Sequence, residues 1–258
     1  MAEEFVERDL AGSRFSHVDL TGSTFTSVDL SGARFRDVYL RGARIRNAYL
    51  KDLDISGQID SLTVNGVDVG PLIQTELDRL HPERLALRPS DVAGYREAWT
   101  LIDELWEPTI ARARELDPAL LHESVDGEWS FIETLRHLAF ATDAWIARGL
   151  LGDPSPWHPL DLPWDEMPGT PGIPRDRNVR PSLEEVLALR ADRRALVARV
   201  LDDLTDERLA GSTEPVPGPG WPPAERFPVR EVLSVVLDEE WWHRRYAQRD
   251  LDALTARP

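Results

Sequence analysis

Large apolar side chains fall at Phe5, Leu10, Phe15, Leu20, Phe25, Leu30, Phe35, Leu40, Ile45, Leu50 and Ile55, a spacing of five without a break. In a chain that is 41% hydrophobic, eleven such hits in a row have a chance probability of roughly 10⁻⁴ or below, so the repeat is real. Two residues before most centres stands a small or β-branched residue: Ser13, Val18, Ser23, Val28, Ala33, Val38, Ala43 and Ala48. Glycine recurs every ten residues, at Gly12, Gly22, Gly32 and Gly42. A period of five matches neither the 3.6 of a helix nor the 2 of a strand. It fits a solenoid with square faces, five residues to a face, whose centres and small residues point inward. Just beyond, Leu62 and Val64 alternate, as do Val67 and Val69, about Asn65-Gly66. Asn-Gly is the preferred type I′ turn, so this hairpin is expected to cap the open end of the solenoid.

The pattern changes after Ser90. Tyr95, Ala98, Trp99, Ile102, Leu105, Trp106 and Ile110 form a stripe at steps of three and four, which predicts a helix over 91–116. A second helix is predicted over 130–150, opened by the Ser130/Glu133 capping box. A third follows over 182–204, opened by Ser182/Glu185, and a fourth over 228–248, with Pro228 suited to its first turn. Residues 71–89 read as a linker with one short helix (IQTELDRL). Two proline-rich crossovers, 151–181 and 205–227, join the later helices; loops of such length often act as lids. The predicted fold class is therefore mainly α with a β module. A β-helix with its hairpin cap occupies 1–70, a linker 71–89, and a four-helix bundle with long crossovers 90–258.

Composition narrows the partners. The 258 residues suit two domains, and 46 acidic against 30 basic side chains give a net charge of −16, which argues against nucleic acid. The absence of cysteine removes disulfides, thiolate metal sites and cysteine nucleophiles. The start, MAEEFVERDL, is not a targeting signal, and no apolar run is long enough for a membrane span, so a cytoplasmic protein with no membrane partner is expected. Lys51 is the single lysine, a sign of genomic composition bias.

The stretch VDLSG ARFRD VYLRG ARIRN AYLKD resembles the pentapeptide-repeat family, and the resemblance covers residues 3–57. It implies a right-handed quadrilateral β-helix with four pentapeptides per coil, here a little under three coils. The bland reading of this module is structural or oligomeric, since nothing catalytic repeats in it.

Chemistry is expected where apolar stripes break. On the fourth helix Val232 and Val236 are continued by Glu239 and His243, so a carboxylate and an imidazole extend a face that should enter the core. Residues at i and i+4 can share one metal ion. On the second helix His137 lies in the sector of Thr134, Leu138, Ala141 and Trp145. His137, Glu239 and His243 together would give three protein ligands and leave a position open, the layout of a catalytic site. The competing reading is a buried Glu239–His243 ion pair with His137 an ordinary core histidine. No catalytic residue beyond the ligands is assigned. His158, beside Trp157 and Trp164, is either a lid residue or a surface histidine. His17, His81 and His122 have no constellation. Trp99, Trp106 and Trp145 are expected in the core, with Trp129 and Trp241 or Trp242 at a pocket rim.

The runs DGEWSFIETLRHLAFATDAW (126–145) and VLDEEWWHRRYAQRDLDAL (236–254) resemble the DinB/YfiT-like superfamily of metal-binding four-helix bundles. That resemblance covers about 90–254. It implies a divalent metal, Zn²⁺ first with Ni²⁺ or Fe²⁺ as alternatives, a low-molecular-weight thiol and a small electrophile as partners, and a homodimer. The implied reaction is thiol S-transfer or isomerisation, or hydrolysis where water replaces the thiol. In a high-GC actinobacterium, which the arginine bias suits, the thiol would be mycothiol. The family's usual ligands are one histidine on the second helix and a His-x-x-x-His pair on the last. His137 and His243 match this pattern, and Glu239 departs from it. The alternative function is a non-catalytic binding or scaffold protein, with the repeats mediating self-association or partner docking.

Overall fold

The computed structural model describes residues 3–36, 38–57, 59 and 61–256. The chain divides into two units, 1–51 and 52–258.

In the first unit the ten-residue period becomes a repeating turn. The carbonyls of Leu10, Leu20, Leu30 and Leu40 accept the N–H of Ser13, Ser23, Ala33 and Ala43 at 3.0–3.1 Å. Each turn passes through a glycine in the left-handed region (φ +66 to +76), which a side chain would strain. The carboxylates of Asp9, Asp19 and Asp29 accept the N–H two residues on, at 2.9 Å, and fix the entry to each turn. The quadrilateral β-helix expected from the sequence is not shown. Among the described residues of the repeat no strands pair, and the apolar centres are exposed, Phe25 by 62% and Ile45 by 71%. A centre is buried only when coils stack above and below it, and under three coils supply few such neighbours.

The second unit opens with the expected hairpin, β1 (Thr63–Val64) and β2 (Val67–Asp68), turning at Asn65-Gly66 with both residues at positive φ. Helix α1 (Gly70–Leu80) and a 3₁₀ turn (Pro82–Leu85) follow. Four long helices then form the body: α2 (Val92–Arg114), α3 (Phe131–Thr142), α4 (Leu183–Asp202) and α6 (Val229–Thr255), with the short α5 (Asp206–Leu209) before the last. Both predicted capping boxes are present, Ser130/Glu133 on α3 and Ser182/Glu185 on α4. The main packing pairs are α2/α6, α6/α3, α3/α4 and α4/α2. That is a four-helix square with α2 and α3 on one diagonal, a topology that needs long connections. None of the helices among the described residues is long and apolar enough to cross a membrane.

Beyond Thr142 the predicted second helix continues, but as a π-helix over Asp143–Leu150. The crossover 151–181 is not a loose lid. Leu162, Met167 and Ile173 are buried, and the latter two pack with Trp157 and Trp164 against Phe140 and Ala144. The segment 70–85 is equally engaged, because His81 and Arg84 pack against Trp241 of α6. Trp241 is thereby buried and is not a rim residue.

At the bundle centre Arg190 of α4 donates twice to Glu240 of α6 (2.8 and 2.7 Å), and Trp106 of α2 donates a third hydrogen bond at 2.8 Å. All three side chains are buried. Removing one partner of such a pair strands a charge in low dielectric. Arg190→Leu is therefore expected to cost about 3–5 kcal/mol in chemical denaturation. A loss below about 1 kcal/mol would show that the pair does not tie α4 to α6.

Candidate metal centre

Helix α6 presents Glu239 and His243 one turn apart, and the neighbouring helix α3 presents His137 to the same point. His137 Nε2 lies 3.4 Å from Glu239 Oε2, and His243 Nδ1 lies 3.2 Å from the same oxygen. Ligand atoms of the three side chains all fall within 4.8 Å of one another. His137 is buried, whereas Glu239 and His243 are partly open.

The proton positions follow from the carbonyls nearby. His137 Nδ1 sits 3.0 Å from the Leu162 carbonyl, which can only accept, so Nδ1–H donates and Nε2 carries the free lone pair. His243 Nδ1–H donates to the Glu239 main-chain carbonyl at 2.9 Å, which leaves its Nε2 free as well. Glu239 Oε2 is buried and has no hydrogen-bond partner. An imidazole lone pair and a carboxylate oxygen thus face each other at 3.4 Å. That contact is repulsive until a cation or a proton lies between them. Two imidazole nitrogens and one carboxylate oxygen are a donor set that fits Zn²⁺ or another first-row divalent ion.

Burial acts to raise the Glu239 pKa; once a proton occupies the His137 contact, that hydrogen bond and the imidazolium charges of His243 and His137 outweigh burial and hold the carboxyl at about 2. Burial pushes His243 down to about 4, against the opposing pull of Glu239. At neutral pH Glu239 is therefore charged, and His243 is neutral and able to ligate.

Aromatic rings and the proline-rich crossover enclose the group. The Trp129 ring lies 4.5 Å from that of His137 and 5.9 Å from that of His243, and Tyr246 lies 5.9 Å from His243. Trp129 Nε1–H points to Asp165 of the crossover at 3.4 Å, Arg177 pairs with Asp165, and its guanidinium stands 5.9 Å from the Trp129 ring. Of the rim tryptophans expected from sequence, Trp129 is at the site. His158 is half-buried and is not at the triad; it belongs to a separate cluster with Asp143 and Arg193. A cleft of about 350 Å³ opens elsewhere, between α2 and α4, lined by Trp99, Trp106 and Arg194 among others and by none of the triad.

A family model for the DinB superfamily matches residues 101–247, more than half of the chain. The chain belongs to the DinB superfamily. A second family model, pentapeptide repeats in eight copies, matches residues 7–42 of this DinB protein. No curated protein and no solved structure matches the chain.

Sequence reasoning missed three contributors to the site. The Leu162 carbonyl is a main-chain atom without a side-chain signal. Asp165 and Arg177 lie in a proline-rich stretch without period. The Arg190–Glu240 pair was also missed, although Glu240 interrupts the stripe of Leu233 and Leu237 as visibly as Glu239 interrupts that of Val236.

The shifts set an acid limit for the metal-free protein. His243 is held below its ordinary 6.5, so its contribution to stability is present above that pH and is lost as pH falls towards about 4. Glu239, held below its ordinary 4.5, loses its contribution as pH falls further, towards about 2. Calorimetry of the metal-free chain should show the melting temperature falling between pH 6.5 and 4, with a shallower fall in His243→Gln. Identical slopes would contradict the burial of a neutral imidazole.

Proposed function

We propose that this DinB protein is a metal-dependent enzyme in which His137, Glu239 and His243 hold a divalent cation, Zn²⁺ first and Ni²⁺ or Fe²⁺ as alternatives. The observation that carries the reading is the buried Glu239 Oε2, which has no hydrogen-bond partner and stands within 3.4 Å of a nitrogen on each histidine. A bound divalent cation supplies a lowered pKa to a coordinated thiol or water, and so a nucleophile at neutral pH.

The chain's own residues define the rest. Three ligands leave coordination positions open. The absence of cysteine means that a thiol must arrive as a cosubstrate. Trp129 and Tyr246 present aromatic walls beside the histidines, which suits a small electrophile with apolar surface. The reaction class is S-transfer or thiol-assisted isomerisation, with mycothiol as one candidate thiol and hydrolysis as the thiol-free variant.

A second reading rests on the repeat module. Its apolar centres, from Phe5 to Ile55, are exposed, and surface of that kind is covered in a working protein. Closure into quadrilateral coils is one way to cover it, and pairing with a second copy in a homodimer is another. A purely non-catalytic scaffold would use the repeat in this way and keep the triad as a polar core.

The protein, stripped and then titrated with ZnCl₂ in a calorimeter, is expected to take up close to one equivalent. His243→Ala should lose at least 100-fold in affinity while remaining folded. The metal-loaded protein should consume an alkylating electrophile only when a thiol is added. Absence of Zn²⁺ uptake, with stability unchanged by chelator, would leave the scaffold reading standing.

A further inference from the structure

The crossover turn 158–162 is pinned at three consecutive residues. Arg136 donates to the Leu160 carbonyl at 2.7 Å, and His137 Nδ1–H donates to the Leu162 carbonyl at 3.0 Å. Between them the fully buried side chain of Asp161 does two things. Its Oδ2 accepts the N–H of His158 at 2.8 Å, closing the turn whose other bond is Asp161 N–H to the His158 carbonyl at 2.9 Å. Its carboxyl also meets the carboxyl of Asp143, the first residue of the π-helix. Asp161 Oδ1 is buried without a donor, and two carboxylates cannot bond to each other unless one holds a proton.

The surroundings decide which one. Burial pushes the Asp143 carboxyl up too, but Arg193 of α4 clamps it with two contacts of 2.8 Å that oppose the rise and favour the charged form. Asp161 has no such clamp, and burial, with the Asp143 charge adding to it, pushes it up to about 8. Asp161 is thus a carboxylic acid that donates to Asp143.

We infer that Asp161 is a positioning residue: its protonated carboxyl, anchored on the Arg193-clamped Asp143, holds the Leu162 carbonyl where it fixes the His137 tautomer and aims Nε2 at the metal position. The π-helical turn serves the same end, since Asp143 on it carries the anchor. This inference rests on the reading of His137 as a ligand, but its geometry is separable from metal uptake.

The test compares Asp161→Asn with Asp161→Leu in the full chain. Asparagine can still accept from His158 and donate to Asp143; leucine can do neither. Zn²⁺ affinity, measured by competition with a chromophoric chelator, should stay within about 3-fold of wild type in the Asn variant. In the Leu variant it should fall by about 10–100-fold, the usual cost of losing an outer-shell partner. Leu254→Ala, a core truncation near the end of α6, controls for general destabilisation and should leave affinity unchanged. A second readout needs no metal: in ¹⁵N-detected imidazole spectra of the stripped wild type and Asn variant, His137 should be protonated on Nδ1, and Asp161→Leu should mix the tautomers. Equal Zn²⁺ affinity in a folded Leu variant, or an Asn variant as weak as Leu, would overturn the inference. So would an Nε2–H tautomer of His137 in the stripped wild type, even where the Leu variant fails to fold. Failure of the wild type to take up Zn²⁺ while the tautomer behaves as stated would refute the metal reading alone.

Discussion

A carboxylate oxygen without a donor, facing an imidazole lone pair inside a helical bundle, is the constraint on which the rest depends. Glu239 Oε2 is buried and unpartnered, and His137 Nε2 stands 3.4 Å away. Three neighbouring contacts support that arrangement. The Leu162 carbonyl takes the Nδ1 proton of His137, and the Glu239 carbonyl takes that of His243. Trp129 lies against both rings.

The adjacent glutamate shows the contrast. Glu240 is buried too, yet it receives three hydrogen bonds, two from Arg190 and one from Trp106, and asks for nothing more. One residue along the same helix, the chain provides no arginine. Placing a satisfied carboxylate beside an unsatisfied one separates the two tasks of α6. Glu240 ties it to α4 and α2, and Glu239 faces α3 and the crossover. The crossover, in turn, is held by buried aromatic packing and by Arg136, so the Leu162 carbonyl arrives on a fixed support.

Much of this is legible in the sequence. The helix starts at Ser130 and Ser182 were written in their capping boxes, and the four long helices in their apolar stripes. The triad was legible because Glu239, His243 and His137 each interrupt a stripe. What could not be read lay in non-periodic chain. The 151–181 segment reads as loop because prolines hide its packing residues, and a main-chain carbonyl such as Leu162 leaves no trace in a sequence. The short helix expected within 71–89 is present as α1, but the packing of His81 and Arg84 on Trp241 is not legible, because it is set by tertiary contacts and not by local pattern. The repeat itself is legible and matches its family, whereas its quadrilateral coils are not shown. Its period predicts inward centres, but inward is defined by stacked coils, and the ten-residue turns from Leu10 to Ala43 form without them.

X-ray absorption at the Zn K edge of the Zn²⁺-loaded protein tests the central claim most directly. The account predicts a first shell that includes two imidazoles, recognised by the multiple scattering of their rings, and a fall to one imidazole in His137→Ala. A shell without histidine scattering, or one unchanged by that substitution, would contradict it.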